Sequence, residues 1–248
     1  MANWNDPRQT PTGFGASSGF QRADAGAATM DLGLRKYMLS IYNYMTSGVL
    51  LTGIVALLTA QSGLAYSFAS GPLMWIVALS PLAIVFAMSF GMNKFSSTTL
   101  KAMFWGFAVL MGLSLSTLLL VYTGASIATT FFATAGAFAG LSLWGYTTKK
   151  DLSGFGTFLI MGVVGLIIAM VLNIFLQSSA LSLAISFIGV LIFAGLTAYD
   201  TQKLKNIYSS VRGTPMMDKV VIMGALNLYL DFINMFLFLL RFMGAARE

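Results

Sequence analysis

The sequence predicts an all-α membrane protein, a bundle of seven transmembrane helices. Three observations predict it. Of 248 residues, 57% are hydrophobic and only 9% are charged, whereas a soluble domain carries about 25% charged residues. The apolar residues gather into seven runs of roughly 20, the length that crosses a hydrocarbon core. Backbone groups in lipid must be satisfied within each run, so the runs are helices and not strands.

Residues 1 to about 33 precede the first run. They are Gly, Ala, Ser, Thr, Asn and Gln with scattered charges and two prolines. Without an apolar run they are neither a signal peptide nor an anchor. Residues 1–34 are expected to be a disordered cytoplasmic tail and 35–248 the membrane domain. Trp4, Phe14 and Phe20 are expected to carry no role. After Arg35-Lys36 the apolar runs fall at about 37–60, 73–92, 102–122, 126–146, 156–176, 181–204 and 220–243. Small residues recur at helical spacing, as in Gly136-Ala137-Phe138-Ala139-Gly140, and allow close helix contact. The 16 methionines suit flexible packing against lipid and neighbouring helices.

Charges in the links set the orientation. The tail carries Arg8, Arg22, Arg35 and Lys36. Lys94 and Lys101 follow the second run, Lys149 and Lys150 the fourth, and Lys203, Lys205, Arg212 and Lys219 the sixth. The alternate links, about 61–72, 123–125 and 177–180, hold no charge. The positive-inside rule then places the N-terminus and every basic link in the cytoplasm. Seven full spans put Arg241 and Arg247 outside. A last run that enters and returns is the alternative. Seven spans are favoured, because earlier helices usually dominate orientation.

Composition also excludes chemistry. There is no Cys and no His, so disulfides, thiolate or imidazole metal sites, Cys nucleophiles and Ser-His-Asp triads are ruled out. A metal held by side chains would be a hard cation on oxygen ligands. The net charge of +6 comes from residues clustered at membrane boundaries and does not point to nucleic acid.

Of eight acidic residues, only Asp200 and Asp231 lie inside apolar runs. An ionisable group in the bilayer costs several kcal/mol unless it is paired, hydrated or neutralised, and so marks a functional candidate. Asn227, Asp231 and Asn234 are spaced i, i+4, i+7 and form one polar stripe that should face the bundle interior. Thr197 lies one turn before Asp200. The midpoint of 200 and 231 falls beside Pro215 and close to Gly213, the expected turn residues. A symmetric hairpin about that turn sets both carboxylates at one depth and carries the sixth helix past Lys203. If that helix stops near 200, Asp200 is interfacial and Asp231 stands alone. If the two meet, they share a proton, and the proton step belongs to the pair. Deprotonated, the pair is a candidate site for a divalent cation, helped by Asn and carbonyl oxygens. Lys94 is a candidate counter-charge for Asp200, against the simpler role of a solvated anchor.

These residues carry a resemblance. Gly195-Leu196-Thr197-Ala198-Tyr199-Asp200-Thr201-Gln202-Lys203, then Gly224-Ala225-Leu226-Asn227-Leu228-Tyr229-Leu230-Asp231-Phe232-Ile233-Asn234 and Phe238-Leu239-Leu240-Arg241, resemble the signature of the transmembrane Bax-inhibitor-motif family. The segment from Gly145 to Gly154 resembles its bacterial members. The resemblance covers about 35–245. It implies a seven-helix bundle with the last helix central, in the inner (cytoplasmic) membrane of a bacterium. It further implies a pH-sensitive calcium leak, with Asp200 and Asp231 as the pH-sensing dyad. In eukaryotes the family is associated with suppression of cell death. It implies a cation near the end of helix 2 that latches the first aspartate. Lys94 stands in about that place, without the bidentate geometry of arginine.

The expected function is therefore a pH-sensitive cation leak rather than an enzyme, with calcium and protons as its ions and no resident cofactor. A non-transporting regulator of a membrane protease complex is the alternative that the resemblance offers. An intramembrane aspartyl protease needs two aspartates on adjacent helices, and Tyr199-Asp200 resembles its first motif. Its second motif, Gly-x-Gly-Asp, is absent, because Leu228-Tyr229-Leu230 precedes Asp231. A retinal photoreceptor fails because 220–243 has no lysine for a Schiff base.

Overall fold

The computed structural model describes the backbone of residues 18–69 and 71–247 and the side chains of 32–69 and 71–247. Every regular element among them is helical: α1 (Ser18–Gln61), α2 (Leu64–Phe68), α3 (Gly71–Gly91), α4 (Ser97–Leu115), α5 (Leu118–Val121), α6 (Gly124–Thr147), α7 (Ser153–Leu176), α8 (Ser179–Val211) and α9 (Met216–Met243). Seven stretches are long and apolar enough to cross a membrane: Leu32–Gln61, α3, Ser97–Val121, α6, α7, α8 and α9. They coincide with the seven expected runs. The chain divides into two contact units, Met1–Lys36 and Tyr37–Glu248. In the first, the described backbone is the beginning of α1. The side chains of Trp4, Phe14 and Phe20, and all of residues 1–17 of the expected tail, lie outside the described residues. The second unit holds the bundle.

Local sequence sets the helix ends. The Ser96, Thr123 and Ser178 side chains accept hydrogen bonds from the backbone N–H of Thr99, Ser126 and Leu181, which caps α4, α6 and α8. Between α8 and α9 the chain reverses through Gly213, whose φ of +74° favours glycine, and Pro215 at the N-cap of α9. At its 33 residues α8 is about 50 Å long, enough to cross the core and project beyond it.

Packing is graded across the bundle. In α3 and α7 only 11% of the most apolar window is buried, and in α9 72% is. Large apolar side chains such as Phe90 and Phe175, 82% and 81% exposed, face outward as lipid contacts do. α9 packs on α8, α6 and α4. Gly48 on α1 also meets it, since a Cβ there would lie 2.8 Å from Phe104 and 3.5 Å from Tyr229. α6 and α8 approach closely at Gly145, where any Cβ would strike the Ala198 carbonyl.

The two ends of α9 lie at opposite faces. At its start, Lys219 Nζ donates to the Met92 carbonyl in the α3–α4 link at 3.2 Å. At its far end, Thr123 N–H donates to Ala245 O at 3.1 Å and Arg247 N–H to Val121 O at 2.8 Å, beside the α5–α6 link. The last helix therefore crosses the whole bundle rather than entering and returning. The basic links at Lys94, Lys149–Lys150 and Arg212 share one face, with Arg247 on the other. With no native cysteine, single cysteines report this directly. In intact cells, a membrane-impermeant thiol reagent is expected to label only one of Lys149→Cys and Arg247→Cys, and to label both once the membrane is opened. Labelling of both from one side would refute the full crossing of α9.

Candidate functional site

The α8–α9 hairpin carries the two membrane acids to one level, and their carboxyls lie within hydrogen-bonding reach of each other. Helix α8 runs on through Asp200 to Val211, so Asp200 is not at a helix end. Asp231 is 5% exposed, and its Oδ2 meets no hydrogen-bond partner. Asp200 is half-buried. Ionised carboxylates only accept hydrogen bonds. The contact is therefore a hydrogen bond only when one of the two carries a proton.

The expected supporting residues divide. Thr197 is fully buried, but its hydroxyl donates to Phe193 O on its own helix at 2.8 Å. Asn234 likewise donates to Leu230 O on its own helix at 2.8 Å. Thr197 has spent its one donor on backbone, and Asn234 one of its two. Asn227, half-buried one turn before Asp231, has no such bond among the described contacts. Lys94 sits exposed in the α3–α4 link, and no ion pair joins it to Asp200. The cation that acts on Asp200 is Lys203, one turn along α8, with Nζ 5.8 Å from the Tyr199 ring centre.

Polar contacts behind each acid were not singled out from sequence. On α8, buried Thr201 donates to Ser142 Oγ of α6 at 3.4 Å. Gln202 accepts from Leu152 N–H and donates to Lys150 O, both at 2.8 Å. Lys205 Nζ donates to Tyr146 O at 2.7 Å and lies 5.1 Å from that ring's centre. In the link itself, the Ser153 hydroxyl and then its N–H hold the Asp151 carboxyl below its usual range. That capping contribution is present at neutral pH and is lost as pH falls through the lowered value. On α9, the Tyr229 hydroxyl lies 2.7 Å from Thr52 Oγ1, and Thr52 donates to Ala108 O at 2.8 Å. Thr52 has one proton, so Tyr229 must donate to it. The chain of bonds ties α9 to α1 and α4. Thr201, Gln202 and Tyr229 stand within the signature segments quoted above, which was their one sequence signal, and Thr52 had none.

No group of three or more His, Cys, Asp or Glu side chains among the described residues is arranged to hold a metal ion. The pair alone offers four carboxylate oxygens, short of the six to eight that calcium takes.

Comparison with known proteins agrees with the resemblance in the signature residues. The family model described as "Inhibitor of apoptosis-promoting Bax1" matches residues 34–248. The chain belongs to this family. An uncharacterized protein of Caulobacter vibrioides is 47% identical over 237 residues, covering 91% of this chain and 95% of the relative. Inner membrane protein YbhL of Escherichia coli is 46% identical over 219 residues, 87% of this chain and 94% of the relative. An uncharacterized Deinococcus radiodurans protein is 47% identical over 216 residues, 87% and 92%.

The Tyr229–Thr52 contact has a testable asymmetry. Tyr229→Phe leaves Thr52 bonded to Ala108 and is expected to cost about 1 kcal/mol. Thr52→Val strands a buried Tyr229 hydroxyl and is expected to cost more, about 1–3 kcal/mol. Thermal unfolding in detergent should rank Thr52→Val below Tyr229→Phe. The double variant should recover part of the loss.

Proposed function

We propose that this protein is a pH-dependent cation leak of the bacterial inner membrane, with calcium as the permeant ion and the Asp200–Asp231 pair as the gate. The observation that carries the proposal is the meeting of two carboxyls within the bundle, one of them with a buried oxygen that lacks a donor. Such a pair is held together by one shared proton. When that proton leaves, two like charges at hydrogen-bonding range repel, and α8 and α9 must part or a cation must replace the proton. Proton and cation thus compete for the same oxygens. A calcium ion would complete its shell with Asn227, freed carbonyls and water. The protein itself bonds no atom of a substrate in this scheme, so it is not an enzyme.

Two cavities lie near the pair, and neither acid lines them. Beside the turn that carries Asp200, a polar groove of about 280 Å3 is lined by Tyr199, Gln202, Lys203 and Asn206. Beside the turn that carries Asp231, a cavity of about 170 Å3 is lined by Thr52, Phe131, Phe232, Ile233 and Phe236. By the positive-inside rule, the basic links favour a cytoplasmic position for the groove. Burial of Leu228 and Tyr229 before Asp231 leaves no room for an extended peptide, which argues against the protease reading.

Calcium flux into proteoliposomes, followed across mildly acid to mildly alkaline pH, tests the proposal. Wild-type flux should change by up to about tenfold per pH unit through the transition, the limit for a one-proton switch. Asp200→Asn and Asp231→Asn should flatten that dependence. Wild-type pH dependence retained in both variants would sink the gate. Absence of flux together with a co-purifying membrane protease would favour a regulator instead.

A further inference from the structure

The geometry points to Gln202 as a positioning residue that locks α8 to the α6–α7 link and so holds Asp200 against Asp231. The inference rests on the proposed role of the pair and adds what regulates it. Gln202 is 7% exposed, two residues from Asp200. Its amide spends both ends on backbone that brackets Asp151, accepting from Leu152 N–H and donating to Lys150 O, each at 2.8 Å. One turn on, Lys205 holds the Tyr146 carbonyl at the end of α6. One turn before, Ala198 abuts Gly145, and the Tyr199 ring abuts Gly156 at the start of α7. This turn of α8 is therefore seated in the angle between α6 and α7, while Asp200 on its other side meets α9.

Such a helix cannot turn or slide away from α9 without stretching the two short bonds of Gln202. A single amide that bridges a carbonyl and an N–H of one link has no slack, and breaking it leaves Leu152 N–H without its partner. Repulsion between the deprotonated carboxyls works against this lock. The lock therefore sets the pH at which the helices part. The elements packed on α8 and α9 carry few other titratable groups: α4 has Lys101, and α1 within the bundle has Tyr37, Tyr42 and Tyr44, of which Tyr37 packs on Tyr208 of α8. α7 has no titratable side chain, and α6 has only Tyr146. Besides Asp200, α8 contributes Lys203, Lys205 and the tyrosines Tyr199 and Tyr208. Besides Asp231, α9 carries Asp218, Lys219, Tyr229 and Arg241, of which Lys219 is engaged at Met92 and Tyr229 at Thr52. The link offers Lys149, Lys150 and Asp151, all exposed.

The sign follows. The paired state keeps the proton and the parted state releases it, so weakening the lock favours release at lower pH. Gln202→Met keeps the volume and removes both hydrogen bonds. The test titrates the carboxylic acid C=O stretch of the pair by infrared difference spectroscopy, assigned by its loss in Asp231→Asn. In Gln202→Met the midpoint should fall by about one pH unit, the shift that a tenfold change in a one-proton equilibrium produces. Asn206→Ala, an exposed neighbour on the same helix, should leave the midpoint in place. A folded Gln202→Met protein with the wild-type midpoint would overturn the lock. A second measurement needs no variant at Gln202. In the wild type, hydrogen exchange at the Leu152 amide, corrected for its intrinsic pH dependence, should accelerate over the range in which the pair titrates. In Asp231→Asn that acceleration should vanish. Protection of Leu152 that stays flat through the titration would also overturn the lock. Neither readout uses ion flux, so a missing calcium leak would sink the proposed function and leave the lock standing.

Discussion

Two carboxyl groups meet inside a bundle of apolar helices, one of them almost wholly buried. Each would be expensive alone, by several kcal/mol, and together they repel unless a proton or a cation lies between them. The rest of the bundle follows from holding them there. Asp200 can reach Asp231 only if α8 stays helical well past the apolar run that ends near 204, and it does, to Val211. The reversal must then be tight, and Gly213 and Pro215 make it so. Asp231 must be kept from lipid, and α9 is the most enclosed of the seven spans.

Each acid is also fixed from behind by its own polar contact. Tyr229, two residues from Asp231, is bonded through Thr52 to α1 and α4. Gln202, two residues from Asp200, is bonded to the α6–α7 link. The two anchors share no residue, so they couple the pair to different parts of the bundle. In an apolar surrounding a hydrogen bond has few competitors, and a few such bonds suffice to choose one arrangement among many packings of Leu, Ile and Phe. α3, which carries no part of this arrangement, is with α7 the least buried of the spans.

The fold was legible because a membrane reduces it to lengths and charges. Seven apolar runs and alternating basic links gave the spans, and the symmetry of 200 and 231 about the Gly213–Pro215 turn gave the shared depth of the acids. What stayed illegible were side-chain partners. Thr197 and Asn234 share a face with the acids in projection, yet both bond to carbonyls one turn back, an option open to any such side chain in a helix. Lys94 matched an expected place along the chain, but the links between helices decide which cation arrives, and Lys203 does. Gln202 could not be picked out, because its partners are backbone atoms of a link fifty residues away.

Replacing Lys94 by Lys203 as the cation near Asp200 changes the logic of the site. A counter-charge delivered from another helix would form an interhelical latch, made or broken as helices move. Lys203 lies on the same helix as Asp200, three residues on, and travels with it. It can moderate the charge on Asp200 but cannot hold α8 to anything. The work of holding must then fall to contacts that do cross between elements, and on α8 at this level those are Thr201 to Ser142, Gln202 to the α6–α7 link, and Lys205 to Tyr146. All three join α8 to the α6–α7 corner, and none joins it to α9. Between α8 and α9 at this level the one polar contact among the described residues is the aspartate pair itself. The proton it shares is thus the polar tie across that interface, which is why a change in pH can be felt there as a change in helix packing.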